Sequence, residues 1–280
     1  LAPVRRPVST PGHPVPVAAS EMENRIGVRV LPEWMDVIDD PSAETLGGRP
    51  LFGHYEVDLE GVPAARTTLV EKGVLKTLLL TRQPAKGFNA SNGHARLLGS
   101  FGAKAAGIGN LFINASGGVP PAELRKKLLD LCRERNKPYG IAIRKMDFPS
   151  SASFDELRRV LTGMAQSGGS ARPVSVPVLV YRVYVDGREE LVRGMRLRGF
   201  TTRSLKDIVA TSDQKFVFDF YDSTAPFAVM GGASFVSEAS VIAPSVLIDD
   251  VELERAQDDL PKTPLVPPPP LADRITISTR

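Results

Sequence analysis

Apolar and polar side chains alternate over much of this chain, and the alternation is clearest between Gly53 and Arg96. Tyr55, Val57 and Leu59 interleave with Glu56, Asp58 and Glu60, the period-2 pattern of a strand with one buried face. Gly61 and Pro63 interrupt it with turn chemistry. Arg66 to Glu71 predicts a second strand, Glu71-Lys72-Gly73 a tight turn, and Val74 to Leu80 a third strand. The unit closes on the polar loop Asn89 to Arg96, where Gly93 can supply a positive φ and Asn, Ser, His and Arg can face a ligand. Upstream, IGVRV and MDVID predict two short strands between Ile26 and Asp39, the second broken at Asp39-Asp40-Pro41, with Trp34 packed in the core nearby.

Further along, Phe101 to Asn114 is Gly- and Ala-rich and then apolar, and Gly117-Gly118 marks a turn. Pro120-Pro121-Ala122-Glu123 opens a helix running to about Arg135, in which Leu124, Leu128, Leu131 and Cys132 form a one-face stripe. Ile141 to Met146 reads as a strand, and Ser153 caps a second helix from Phe154 to Gln166. Pro177 to Gly194 is the strongest hairpin, with Asp186-Gly187 as its turn. A short helix over Ser204 to Val209 and a strand over Lys215 to Tyr221 complete the pattern. The expected fold is therefore α+β and β-rich, with antiparallel sheets curled into a barrel-like core and two main helices on the outside.

The ends differ in composition. Residues 1–24 carry five prolines in the first twenty positions and no periodicity, so they predict an extended arm or linker. A start at Leu1 without Met reads as a fragment or a product of processing. Residues 257–280 include PLVPPPPLAD, which suits a surface strap or a polyproline II ligand for an aromatic groove on a partner. Between them, 25–256 is expected to be one domain.

Composition narrows the classes. The 280 residues are 42% hydrophobic with a mean hydropathy of −0.07, enough for a substantial core. The net charge is +3, and no Lys/Arg block with interleaved aromatics stands out, so nucleic acid is not an expected partner. No run of 18 apolar residues exists, so no membrane association is expected. Cys132 is the only cysteine. A cytoplasmic location is expected, with an exported parent left open.

The chemistry is sparse. His13, His54 and His94 are the three histidines, no two of them locally paired, and there is no HExxH or HExxxH. Zinc hydrolysis needs two or three ligands, an open position and a base for the bound water. His54, His94, Asp58 and Glu60 would have to converge in space, which spacing does not imply. No GxSxG elbow, Walker loop or GxGxxG after a strand occurs. Cys132 is open to two readings, a ligand or nucleophile and a small core residue. Asn92, Gly93, His94 and Arg96 form the candidate substrate-binding loop, with donors for the carbonyls of a peptide strand and room for its backbone. Asp58 and Glu60 are candidate site acids or structural partners of Arg66 or Arg96. No catalytic residue and no metal ligand are assigned.

DLEGVPAARTTLVEKGVLKTLL followed by SNGHAR resembles the C-terminal domain of the TldD/PmbA proteins, a family described as zinc metallopeptidases and as modulators of DNA gyrase. The matching positions are Asp58, Glu60, Gly61 and Pro63, then Leu69 to Leu75, then Ser91 to Arg96. Weaker likenesses at Asn110 to Asn114, Val192 to Gly199 and Phe235 to Glu254 extend the resemblance over roughly Ile26 to Glu254. It implies zinc in the parent protein, held by an HExxxH in a domain upstream of this region. It also implies dimers, of one chain or of related subunits, enclosing a cavity that receives unfolded peptide. In some members a cysteine near the C-terminus completes the metal site, and Ser223 to Ser240 contains none here. Two functions follow as alternatives. One is the peptide-receiving wall of a zinc metallopeptidase cleft, inactive as this chain alone and without its own zinc. The other is a non-catalytic interaction or scaffold domain that keeps the fold.

Overall fold

Met35, Val37 and Asp39 share the buried face of one strand in the computed structural model, with Asp36 and Ile38 half-buried between them. The structure describes residues 22–83, 85, 87–98, 104–146, 177–223 and 236–255. In chain order the strands are β1 (Met35–Asp39), β2 (Thr45–Leu46), β3 (Arg49–Pro50), β4 (Thr67–Glu71), β5 (Val74–Leu75), β6 (Ala95–Leu98), β7 (Lys104–Ala106) and β8 (Asn110–Ala115). After helix α1 (Pro121–Glu134) come β9 (Tyr139–Met146), β10 (Pro177–Tyr184), β11 (Glu189–Val192), β12 (Met195–Arg198), β13 (Ile208–Ser223), β14 (Val236–Ile248) and β15 (Glu252–Arg255).

Six strands form the main sheet in the order β13-β14-β8-β1-β4-β5. Its neighbours are antiparallel except β14 and β8, which run parallel through Val241 opposite Leu111. A second sheet has the order β11-β10-β9, and the pairs β2-β3, β6-β7 and β12-β15 stand as small ladders. Leu69, Val70, Leu75 and Leu111 join Met35 and Val37 in the core, covered by the consecutive buried leucines Leu78, Leu79 and Leu80. Trp34 packs against this cluster from its edge.

The barrel-like core is not what forms. The sheet order runs from β13 to β5 without closing, and closure would need those two to pair. β5 is two residues long, and its outer edge is taken by Gly27 and Val28, through Gly27 N–H to Leu75 O at 2.8 Å and Leu75 N–H to Val28 O at 3.0 Å. The expected pair of outer helices is also corrected. Among the described residues α1 is the single α-helix; the helix expected over 154–166 lies outside them, as do the arm before residue 22 and the Pro-rich tail.

Local corrections have local causes. Tyr55 to Glu60 is a narrow loop, closed by Asp58 N–H to Val62 O at 2.9 Å and Ala64 N–H to Glu56 O at 2.8 Å. IGVRV is not a strand; Val30 and Leu31 donate to Gly73 O, and Arg29 meets Val74 in one bridge. The third strand stops at Leu75 because the following leucines take their partners from the side chains of the polar loop. Residues 236–255 divide into β14 and β15, and Met195 leaves the hairpin to pair with Arg255. The 204–209 helix is a 3-10 turn over Ser204–Asp207. The turn at Lys72-Gly73 is as expected, with both residues at positive φ, a type I′ geometry. The Asp186-Gly187 hairpin also forms, joining β10 to β11.

Candidate functional site

Asp58 organises the site. Its Oδ1 accepts the N–H groups of Glu60 at 2.8 Å and Val62 at 2.9 Å, and its Oδ2 accepts that of Ala95 at 3.0 Å. Bonding the backbone two and four residues on and the start of β6 turns Asp58 inward, so the alternation holds at Tyr55 and Glu56 and is inverted from Val57 on. Asp58 is buried while Val57 and Leu59 are 52% and 50% exposed. Leu59 N–H reaches Ala95 O at 2.9 Å, which fastens this loop to the start of β6. Glu60 is half-buried, and its carboxylate accepts Arg82 N–H at 2.6 Å.

The four residues of the expected ligand loop separate. Asn92 serves the interior: its Oδ1 accepts Leu80 N–H at 2.7 Å and its Nδ2 donates to Leu78 O at 2.9 Å. Gly93 holds φ +77°, and a Cβ there would lie 2.3 Å from Pro63 O, so only glycine fits. Its carbonyl accepts the Tyr55 hydroxyl at 2.7 Å. His94 is fully buried, with Nδ1 2.8 Å from Asn92 O and Nε2 3.6 Å from Asp39 Oδ1. Arg96, half-buried like Asn92, keeps 11% of its side chain exposed. Its guanidinium lies 4.1 Å from the Tyr55 ring centroid and donates to Glu238 O at 3.2 Å.

Neither candidate acid pairs with the arginine expected for it. Arg66 stands 3.6 Å from Asp40, and Arg96 stands 3.8 Å from the Glu238 carboxylate. Burial pushes the Tyr55 phenol well above its ordinary range, the negative Asp39 and Asp58 add to this, and Arg96 pulls the other way. Tyr55 and Asp39 are the site residues that reading for chemistry passed over. In the sequence Asp39 stood only at the Asp39-Asp40-Pro41 break of the MDVID strand.

The donor set does not fit the zinc that the resemblance implies. Both ring nitrogens of His94 face protein oxygens, and His54 Nδ1 lies 2.9 Å from Pro41 O. Among the described residues no three His, Cys, Asp or Glu side chains gather as ligands. Cys132 is a buried thiol on α1, pressed against Gly140 of β9, where burial raises it above its usual range against the pull of Arg133 and Arg135. A separate groove of about 380 Å³ lies between the β9-β10-β11 sheet and the β12-β15 pair, with Ile141, Val180 and Met195 on its walls. No helix among the described residues is long and apolar enough to cross a membrane.

Comparison with known proteins agrees with the motifs. Residues 12–132 match the model of the PmbA/TldA metallopeptidase C-terminal domain. A protein of Methanothermobacter thermautotrophicus named "Metalloprotease" is 46% identical over 66 residues, 24% of this chain and 13% of that one. A "Metalloprotease" of Archaeoglobus fulgidus is 37% identical over 81 residues, 29% of this chain and 18% of that one. The matched stretch thus spans less than a fifth of either relative. In fold, the chain is similar to a Thermotoga maritima crystal structure described as a proposed modulator of a DNA gyrase, with a TM-score of 0.50 at 18% identity, over 84% of this chain and 42% of that one. Residues 12–132, less than half of the chain, are thus similar to the C-terminal domain of the TldD/PmbA family.

Proposed function

We propose that this chain forms the peptide-receiving wall of a TldD/PmbA-type zinc metallopeptidase. The observation that carries the reading is the exposed pair Val57 and Leu59, held outward by Asp58 and fastened beside Ala95 and Arg96. Apolar side chains fixed on a rigid loop next to a cation suit an unfolded peptide, which offers aliphatic groups and carbonyl oxygens. The names of the matched relatives support a metal in the parent. Its ligands and the base for its water would come from an upstream domain of the same protein, since the donors described here do not gather. In this reading Arg96 is the member of the 92–96 loop that meets substrate, through the part of its side chain left exposed, while Asn92, Gly93 and His94 hold the loop in shape. A second subunit, identical or related, would close the cavity. The single buried thiol suits a reducing, cytoplasmic setting.

The test is binding, which needs no metal. A fluorescein-labelled, unstructured peptide rich in Leu and Phe should bind the chain. Val57→Ser with Leu59→Ser should weaken it about tenfold, since losing burial of about 1.4 kcal/mol is one decade in affinity. Unchanged binding would remove this loop from the cleft wall. The same unclustered donors also favour the alternative, a scaffold domain without catalysis. Stoichiometric zinc and peptide hydrolysis by the parent protein would eliminate it.

A further inference from the structure

Asp39, the last residue of β1, and His94, just before β6, are fully withdrawn from solvent, and neither can touch a peptide. Hydrogen-bond accounting fixes the imidazole. Asn92 donates through Nδ2 to Leu78 O and accepts at Oδ1 from Leu80 N–H, so oxygen is the amide atom turned toward His94. His94 Nδ1 is 2.8 Å from Asn92 O and 3.0 Å from Asn92 Oδ1, both acceptors. Nδ1 therefore carries a hydrogen. The second nitrogen, Nε2, is buried without a hydrogen-bond partner and faces Asp39 Oδ1 at 3.6 Å. The Asp39 carboxylate receives the N–H of Gly109, shared between its two oxygens at 3.1 Å each.

An unpartnered lone pair opposite a buried carboxylate that accepts a single backbone N–H is costly in a protein interior. We propose that Asp39 and His94 hold one proton between them, as imidazolium beside carboxylate or imidazole beside carboxylic acid, and that this proton latches the 91–94 loop to β1. The other titratable groups around the pair are engaged elsewhere, save the buried Nε of Arg96, which has no hydrogen-bond partner. Asp58 holds three backbone N–H groups, the Tyr55 hydroxyl donates to Gly93 O, and Arg96 lies over the Tyr55 ring and bonds Glu238 O. The latch makes His94 and Asp39 positioning residues for Arg96, two residues further on. It rests on neither peptide binding nor a metal.

Nitrogen-15 and carbon-13 NMR of the unaltered chain at neutral pH reads the proton directly. The expected result is a protonated Nδ1 with either a protonated Nε2 beside an ionised Asp39, or a bare Nε2 beside a carboxylic acid signal. A neutral ring beside an ionised Asp39, or a bare Nδ1, would overturn the proposal. Substitution gives an independent reading. Asp39→Asn can donate its own N–H to Nε2 and should keep the denaturation midpoint close to that of the unaltered chain, while Asp39→Ala should lower it clearly. Equal midpoints for Asp39→Ala and the unaltered chain, or equal damage from both variants, would contradict a latch.

Discussion

Asp58 commits one carboxylate to three backbone N–H groups, and Asp58→Ala leaves all three without that acceptor. Hydrogen bonds to a charged group contribute about 1.5–3 kcal/mol each and do not add fully, so a loss of about 3 kcal/mol is expected in urea unfolding. Asp58→Asn keeps the shared Oδ1 and should lose about 1 kcal/mol. Tyr55 gives the pH dependence. Its phenol is held protonated in the folded chain beyond the ordinary Tyr value, by burial first and the Asp39 charge second. The unfolded chain releases this proton near pH 10, roughly the reference for Tyr, so the contribution is whole below that pH and is lost as pH rises above it. Unfolding followed between about pH 9 and 11 should therefore show a steeper fall for the unaltered chain than for Tyr55→Phe. Reading for alternation placed Asp58 outward because the period of a strand carries no knowledge of side chains that bond their own backbone. Asp39 entered the sequence reading only at the broken end of the MDVID strand, and its charge gave no hint of burial.

Two glycines in turns separate backbone strain from steric space. Gly73 has φ +73°, and a Cβ there would meet Leu31 O at 2.3 Å and Pro32 O at 2.6 Å. Gly187 has φ +92° with nothing within 4 Å. Gly187→Ala should cost about 1–2 kcal/mol, the left-handed penalty alone, and Gly73→Ala clearly more, since the β4-β5 turn must part from residues 31 and 32. Midpoints of chemical unfolding compare them. On α1, Cys132 should react slowly with a thiol reagent in the folded chain and rapidly after unfolding, because it is buried against Gly140 with its thiol raised. These elements were legible where a local rule decides them: the MDVID strand, the turn at Lys72-Gly73, the helix opened by Pro120-Pro121 and the hairpin at Asp186-Gly187. The stretch after Leu75 was not such a case, as Leu78, Leu79 and Leu80 are buried in succession without alternation. Their conformation depends on Asn92, twelve residues or more away, and no short window contains both partners.

At the scale of the whole molecule, closure was the feature the pattern could not decide. Strand periods specify faces and leave the order of strands open, and the parallel pairing of β14 with β8 joins segments more than a hundred residues apart. That pairing brings β14 to the site. Ser240 on β14 accepts Phe52 and Gly53 N–H and donates to Asp219 of β13, while Glu238 supplies the carbonyl for Arg96. The part of the chain beyond residue 132 therefore shapes a rim whose motifs lie before it. A metal bound by the parent protein then has two possible origins, and substitution within this chain distinguishes them. If the ion is held upstream, His54→Ala and Asp39→Asn in the parent should leave its metal content per chain unchanged, as measured by elemental analysis of the folded protein. Val57→Ser with Leu59→Ser should lower peptide turnover through KM in the same preparation, because binding is lost without touching the ion. A drop in metal content with either of the first two variants would place a ligand in this chain and refute the division of labour between the two parts of the parent.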